Sequence, residues 1–320
     1  MPVRLPEGHY APPRGAANEV SVGVPQPHIE GSAVGVTGGE SSHMEGRTTM
    51  RRLTIFGAFV VLAVQVAFSV AQAQSTIDEV KQRGELRVAG VLYRPLISPR
   101  PSGEYVGIDV EIMKLMAADL GVKLNIVNSE WATAVAGIEA KKWDIVPALC
   151  ITDKRKEVID FSESYITIGA TLTTSANNPK GLTTVASFNR PEVVFAVPAG
   201  SWSESVAREV APLAQIKGFG QSTSADLIQE VVAGRADAVV LDTPIQTTVA
   251  LDAFGDKIRI VPGHNKPLDV RACKVGYGYR KGDTKMRDYV DGFIAKMRSS
   301  GKLDALITQY MKPDQIKAAN

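Results

Sequence analysis

Between Trp143 and Tyr165 the chain reads WDIVPALCITDKRKEVIDFSESY, a stretch in which an arginine follows closely on a hydroxyl residue and several small side chains. The apolar run that opens on Asp144 breaks at Pro147, passes Ala148 and Cys150, and meets Thr152 at the head of a charged segment holding Arg155. That order predicts a strand, a tight loop and a helix start, with Thr152 as the N-cap. A helix beginning there leaves backbone N–H groups pointing at the loop, and anions favour such a place. Arg155 sits one turn in. Its guanidinium can fold back over the loop and grip a carboxylate bidentately, which an ammonium does less well. Taken alone, TDKR reads as solvated surface charge.

Holding such a group takes a scaffold, and the flanking sequence alternates strand and helix patterns. Thr76 to Arg83 reads as a short amphipathic helix closed by Gly84, and Leu86 to Leu92 as a buried strand. A loop with Pro95, Pro99, Pro101 and Gly103 follows, then a helix from Ile108 to Leu120 that stops at Gly121 and a strand over 122–127. Trp131 to Lys142 is predicted helical and Asp144 to Leu149 a strand, an alternation that predicts parallel sheets covered on both faces. The segment EAKKWDIVPAL at 139–149 is echoed by VAGRADAVVLD at 232–242, so the expectation is two similar α/β lobes. The strand over 166–174 leaves the first lobe and the strand over 275–279 returns to it, where helices over 284–299 and 303–311 complete it. The expected division is therefore 74–170 with 275–320 as the first lobe and 171–274 as the second. Ligands in such an architecture lie between the lobes, at strand C-terminal ends.

With 44% hydrophobic and 22% charged residues over 320 positions, the composition is globular and long enough for two lobes. A net charge of +2, with no basic patch interleaved with aromatics, argues against nucleic acid. Of the four His, only His264 lies downstream of the N-terminal region, beside two Cys, which argues against a metal site. No cofactor motif is present: Gly276 and Gly278 lie in a strand-like run without a third Gly at the required offset, and P-loop, G-x-S-x-G and H-E-x-x-H patterns are missing. Residues 1–49, rich in Gly, Pro, Ser and Glu, read as disordered or as an untranslated extension. Residues 50–73 then read as a signal peptide: Met50-Arg51-Arg52, the apolar run Leu53 to Val70, and Ala71-Gln72-Ala73 with cleavage after Ala73. The run is also just long enough for a membrane anchor, but the polar residues directly after the A-x-A site favour cleavage. Export to an oxidising compartment would let Cys150 and Cys273 pair; the alternative is two buried thiols acting as small apolar residues.

The phrase D-(apolar)-A-x-x-I-T-x-x-R followed by V-I-D-F-S-x-x-Y resembles the signature of family 3 extracellular solute-binding proteins, the polar amino-acid receptors of ABC importers, and the likeness extends over 76–311. The resemblance implies a type II periplasmic binding fold, two α/β lobes around a cleft with two hinge-crossing strands, in a monomer that partners permease subunits. It also implies roles for particular positions. Arg155 would bind the α-carboxylate of the ligand, and Asp242, at the end of a buried strand, its α-ammonium. The loop Gly200-Ser201-Trp202-Ser203-Glu204 matches a segment whose hydroxyl and N–H groups complete the carboxylate clamp; Ser201 fits it, while Trp202 replaces a small hydroxyl residue. Tyr93 matches an aromatic lid and Trp131 a side-chain pocket position. Ala148 and Cys150 stand where the family carries hydroxyls, and the segment between Asp144 and Thr152 is one residue shorter than usual. Gly90 stands where receptors for cationic amino acids carry an acid. These departures imply a less polar or unusually shaped amino-acid derivative, and neither Lys nor Arg.

An enzyme on the same fold is the rival expectation, since cyclohexadienyl dehydratases resemble these receptors and keep the carboxylate-binding Arg. They generally lack the ammonium-binding Asp, whereas this chain has Asp242 in a D-A-V-V-x-D setting. Glu130, beside Trp131, is the acid to watch as a proton donor. A third expectation is a solute receptor serving a sensor kinase or a dehydrogenase.

Overall fold

A computed structural model describes residues 74–311 except 244, 264–265 and 271. The N-terminal extension, the signal peptide with its cleavage site after Ala73, and His264 lie outside the described residues. Among the described residues no helix is long and apolar enough to cross a membrane.

Local capping chemistry sets the first elements. The Ser75 side chain accepts the Asp78 N–H to start helix Thr76–Arg83, and Gly84, at φ 71°, ends it in the left-handed conformation that glycine adopts without penalty. Among the described residues twelve strands follow in chain order: β1 (Glu85–Gly90), β2 (Ser98–Pro99), β3 (Tyr105–Val106), β4 (Lys123–Asn128), β5 (Val146–Cys150), β6 (Ile159–Phe161), β7 (Ile166–Ser175), β8 (Val194–Pro198), β9 (Gln215–Phe219), β10 (Ala238–Thr243), β11 (Ile258–Val261) and β12 (Cys273–Arg280). Helices Ile108–Leu120, Trp131–Glu139, Trp202–Val210, Ser224–Val232, Ile245–Phe254, Thr284–Ser299 and Lys302–Tyr310 alternate with them.

β1 and β4 pair in parallel, and β8 is parallel to both β9 and β10. The sheets are not parallel throughout, however. β7 runs antiparallel to β10, β11 and β12, and β12 antiparallel to β5, β6 and β7. The expectation of all-parallel sheets fails at the strands that join the lobes: the return strand pairs beside the outgoing one, Cys273 opposite Ile168 and Val275 opposite Ile166. A single strand thereby feeds two cores. Ile166 and Ile168 of β7 belong to a core that also gathers Met113, Tyr277 and Met297, while Ala170 and Leu172 belong to one built with Phe188, Phe195 and Val240. The result is two α/β lobes with crossing strands between them.

The first lobe buries a carboxyl. Asp109, in the first turn of helix Ile108–Leu120, accepts hydroxyl donors from Tyr165 at 2.7 Å and Tyr277 at 3.0 Å, whose rings stack 4.8 Å apart. Burial pushes its carboxyl up to about 7, against the opposing pull of the two hydroxyls.

Candidate functional site

β5 carries an irregularity at the place where the site is built. Leu149 pairs with Gly276 and Val146 with Gly278, so Pro147 and Ala148 together face the single residue Tyr277. A proline with no N–H to donate suits such a bulge, and Ala148 takes φ 56°, a left-handed conformation that costs a non-glycine residue about 1 kcal/mol. The bulged strand puts Ala148 and Cys150 into the wall of a cavity between the lobes.

Arg155 follows on the single helical turn Asp153–Lys156, where the Thr152 side chain accepts the Arg155 N–H at 3.3 Å. Its guanidinium turns back as the loop chemistry requires, donating Nη1 to the Cys150 carbonyl at 2.9 Å and Nη2 to the Gly200 carbonyl of the facing lobe at 3.1 Å. No carboxylate among the described residues pairs with it, and burial pulls its pKa down to about 10. Asp242, 4% exposed near the end of β10, is the opposite case. It accepts the Tyr93 hydroxyl of the other lobe at 2.5 Å and has no cationic partner among the described residues. Burial pushes its carboxyl up to about 7, with the Tyr93 hydrogen bond opposing.

Arg155, Asp242, Tyr93, Trp131, Ala148, Cys150, Ser201 and Trp202 all line this one cavity. Tyr93 meets Trp131 edge to face, with ring centroids 5.9 Å apart. Ser201 caps helix Trp202–Val210 by accepting the Glu204 N–H at 3.2 Å, which leaves its own O–H free to donate. Trp202 packs against the cores of both lobes. Sequence reading missed Ser203, Ser222, Ser224 and Gln246, which also line the cavity. Ser222-Thr223-Ser224 carried a usable signal, because Thr223 and Asp226 form a capping box that opens helix Ser224–Val232; Gln246 carried none.

Two other positions fall outside the lining. A Cβ on Gly90 would meet Ile126 Cγ2 at 2.7 Å and the Tyr105 ring at 3.3 Å, so this position packs against its own lobe. Glu130 is half-buried, and its carboxylate lies against Gly220 of the facing lobe.

Cys150 and Cys273 are joined by a disulfide with Cα atoms 5.5 Å apart, closing a separation of 123 residues beside the Arg155 loop. In the chain-entropy account so long a loop is worth about 5 kcal/mol. Reduction with dithiothreitol is expected to lower the melting temperature by on the order of 10 °C in a thermal scan, and a change under 2 °C would contradict this.

The family model for bacterial extracellular solute-binding proteins, family 3, matches residues 86–313. This chain belongs to that family. Its relatives include a cyclohexadienyl dehydratase of Pseudomonas aeruginosa, 27% identical over 187 residues that cover 58% of this chain and 69% of the relative. The L-cystine-binding protein TcyJ of Escherichia coli is 26% identical over 251 residues, 76% of this chain and 89% of the relative. Among solved structures, the ancestral amino acid-binding protein AncCDT-1, described as a precursor of cyclohexadienyl dehydratase, is 33% identical, matches 74% of this chain and all of its own with a TM-score of 0.65. As a family 3 solute-binding protein the chain has the type II two-lobed fold, and an amino-acid-binding solute receptor is its family function.

Proposed function

We propose that the protein is a periplasmic receptor that captures an amino acid or amino-acid derivative between its lobes and delivers it to the permease subunits of an ABC importer. The observation that carries this reading is the pair of unmatched charges: among the described residues, an arginine without a carboxylate and a carboxylate without a cation line one cavity. Burying either alone is costly, and a zwitterion supplies both missing partners at once. In this reading the ligand's carboxylate docks on Arg155, the Ser201 hydroxyl and the N-terminus of helix Trp202–Val210. Its ammonium meets Asp242, Tyr93 closes over it, and Trp131, Trp202, Ala148 and Cys150 form walls. Ligand shifts the population toward the closed form, which the importer recognises. The mechanism needs no cofactor, and one copy of the chain, a monomer, holds the whole site. The two lobes that close divide as 74–170 with 275–320, and 171–274.

Asp242 must be ionised to receive an ammonium. With its carboxyl held up to about 7, apparent affinity is expected to fall about fiftyfold between pH 7 and pH 5, as titration calorimetry would read; an affinity flat over that range would contradict the assignment. The ligand-free protein is expected to show the opposite trend. The folded state of Asp242 holds its proton above the ordinary 3.8, so that share of stability is present at pH 4 and is lost as pH rises through about 7.

A second reading, dehydration of a cyclohexadienyl acid, is supported by the Pseudomonas relative and by a cavity acid with its pKa near 7. A thermal-shift screen of amino acids, opines, betaines, prephenate and arogenate tests both. Stabilisation by an amino acid recovered unchanged upholds the receptor; consumption of prephenate or arogenate overturns it.

A further inference from the structure

The space at the charged groups is small. The cavity holding Arg155 and Asp242 amounts to about 40 Å³, room for about three waters. Beside it lies a second compartment of about 250 Å³, which shares Leu92, Tyr93, Ser224 and Gln246 as common wall. Its floor comes from both lobes: Ile97 and Pro99 from the first, Ile228, Val249, Ala250 and Phe254 from the second. No acidic residue lines it, and its single charged lining residue, Arg94, is exposed.

We propose that this compartment takes the side chain of the bound amino acid, and that the ligand is an α-amino acid with an extended apolar side chain. This rests on the receptor reading above. The shared wall places the compartment at the Tyr93 end of the cavity, next to the Asp242 carboxylate that Tyr93 contacts. A chain leaving the ligand's α-carbon there passes Tyr93 and Gln246 and meets aliphatic and aromatic carbon. A lysine or arginine side chain in the same place finds no carboxylate, and its charge loses water without gaining a partner. Exclusion of cationic ligands therefore comes from this compartment rather than from Gly90.

The test is calorimetry on the purified protein with L-alanine, L-2-aminobutyrate, L-norvaline and L-norleucine, and with L-lysine, L-glutamine and L-glutamate as polar chains of similar length. Each added methylene is expected to tighten the dissociation constant about fourfold, with norleucine ahead of all three polar chains. Ala253 lines the compartment but is exposed, so Ala253→Trp can fill it without disturbing a core. In that variant the preference for norleucine over alanine is expected to shrink to within about threefold, its ligand-free melting temperature serving as the check on folding. A flat series, a polar chain that binds tighter than norleucine, or an undiminished preference in Ala253→Trp overturns the proposal. If alanine still binds and Arg155→Ala abolishes that binding, the receptor reading survives this failure; if no amino acid binds at all, both fall.

Discussion

Arg155→Ala is expected to abolish ligand-induced stabilisation. A ligand at a hundred times its dissociation constant raises stability by about 2.7 kcal/mol. Leaving a buried carboxylate without its charged partner costs on the order of 3 kcal/mol or more, a loss of over a hundredfold in affinity, so the thermal shift vanishes at that concentration. The variant differs from an ordinary core lesion in its effect on the ligand-free protein. Wild-type Arg155 is half-buried without a carboxylate among the described residues, and its lowered pKa reflects that desolvation. Its removal gives up two hydrogen bonds to carbonyls, Cys150 and Gly200, and relieves the desolvation, so the ligand-free melting temperature is expected to stay within a few degrees of wild type. Arg155→Lys keeps the charge but loses the planar fork, and an intermediate loss, about tenfold, is expected. An Arg155→Ala protein that binds its ligand within threefold of wild type would remove this residue from the site.

Gly200→Ala is expected to block closure. Gly200 sits at φ 74°, and a Cβ there would stand 2.6 Å from the Cα and 2.8 Å from the N of Ala132 on the facing lobe. The left-handed backbone costs an alanine roughly 1 kcal/mol, and overpacking at so close an approach adds about 1–3 kcal/mol. Only the second cost depends on the lobes meeting. Affinity is therefore expected to fall by about 10- to 100-fold, while the open form stays folded and the ligand-dependent decrease in radius of gyration in small-angle scattering disappears. Because the obstruction is backbone, Ala132→Gly cannot rescue the variant. Gly220→Ala offers the contrast: its Cβ would meet the end of a flexible side chain, Glu130 Oε2 at 3.0 Å, so a much smaller loss is expected. Equal effects of the two substitutions, or rescue by Ala132→Gly, would rule out a closure role for Gly200.

What the sequence by itself determined about this protein is local. Helix Thr76–Arg83, helix Ile108–Leu120 and helix Thr284–Ser299 have the predicted bounds, because a capping side chain or a left-handed glycine acts within one turn and leaves its mark within a few residues. Thr152 before Arg155 was legible for the same reason, as was Asp242 at the end of an unbroken apolar strand. Helix Trp131–Glu139 stops short of the predicted Lys142, a run without a glycine stop to mark it. The tertiary structure alone decided what depends on distant partners. It set β7 antiparallel to its neighbours and placed Tyr93 on Asp242, 149 residues away. It pressed Gly200 against Ala132, and it turned Gly90 toward Ile126 and Tyr105 rather than the cavity. The compartment beside Tyr93 is likewise walled by residues from both lobes. Apart from Gly90, which packs within its own lobe, these features arise where two lobes with separate cores meet, and periodicity and capping are blind to such distant contacts because they read only the chain within a turn or a strand of itself.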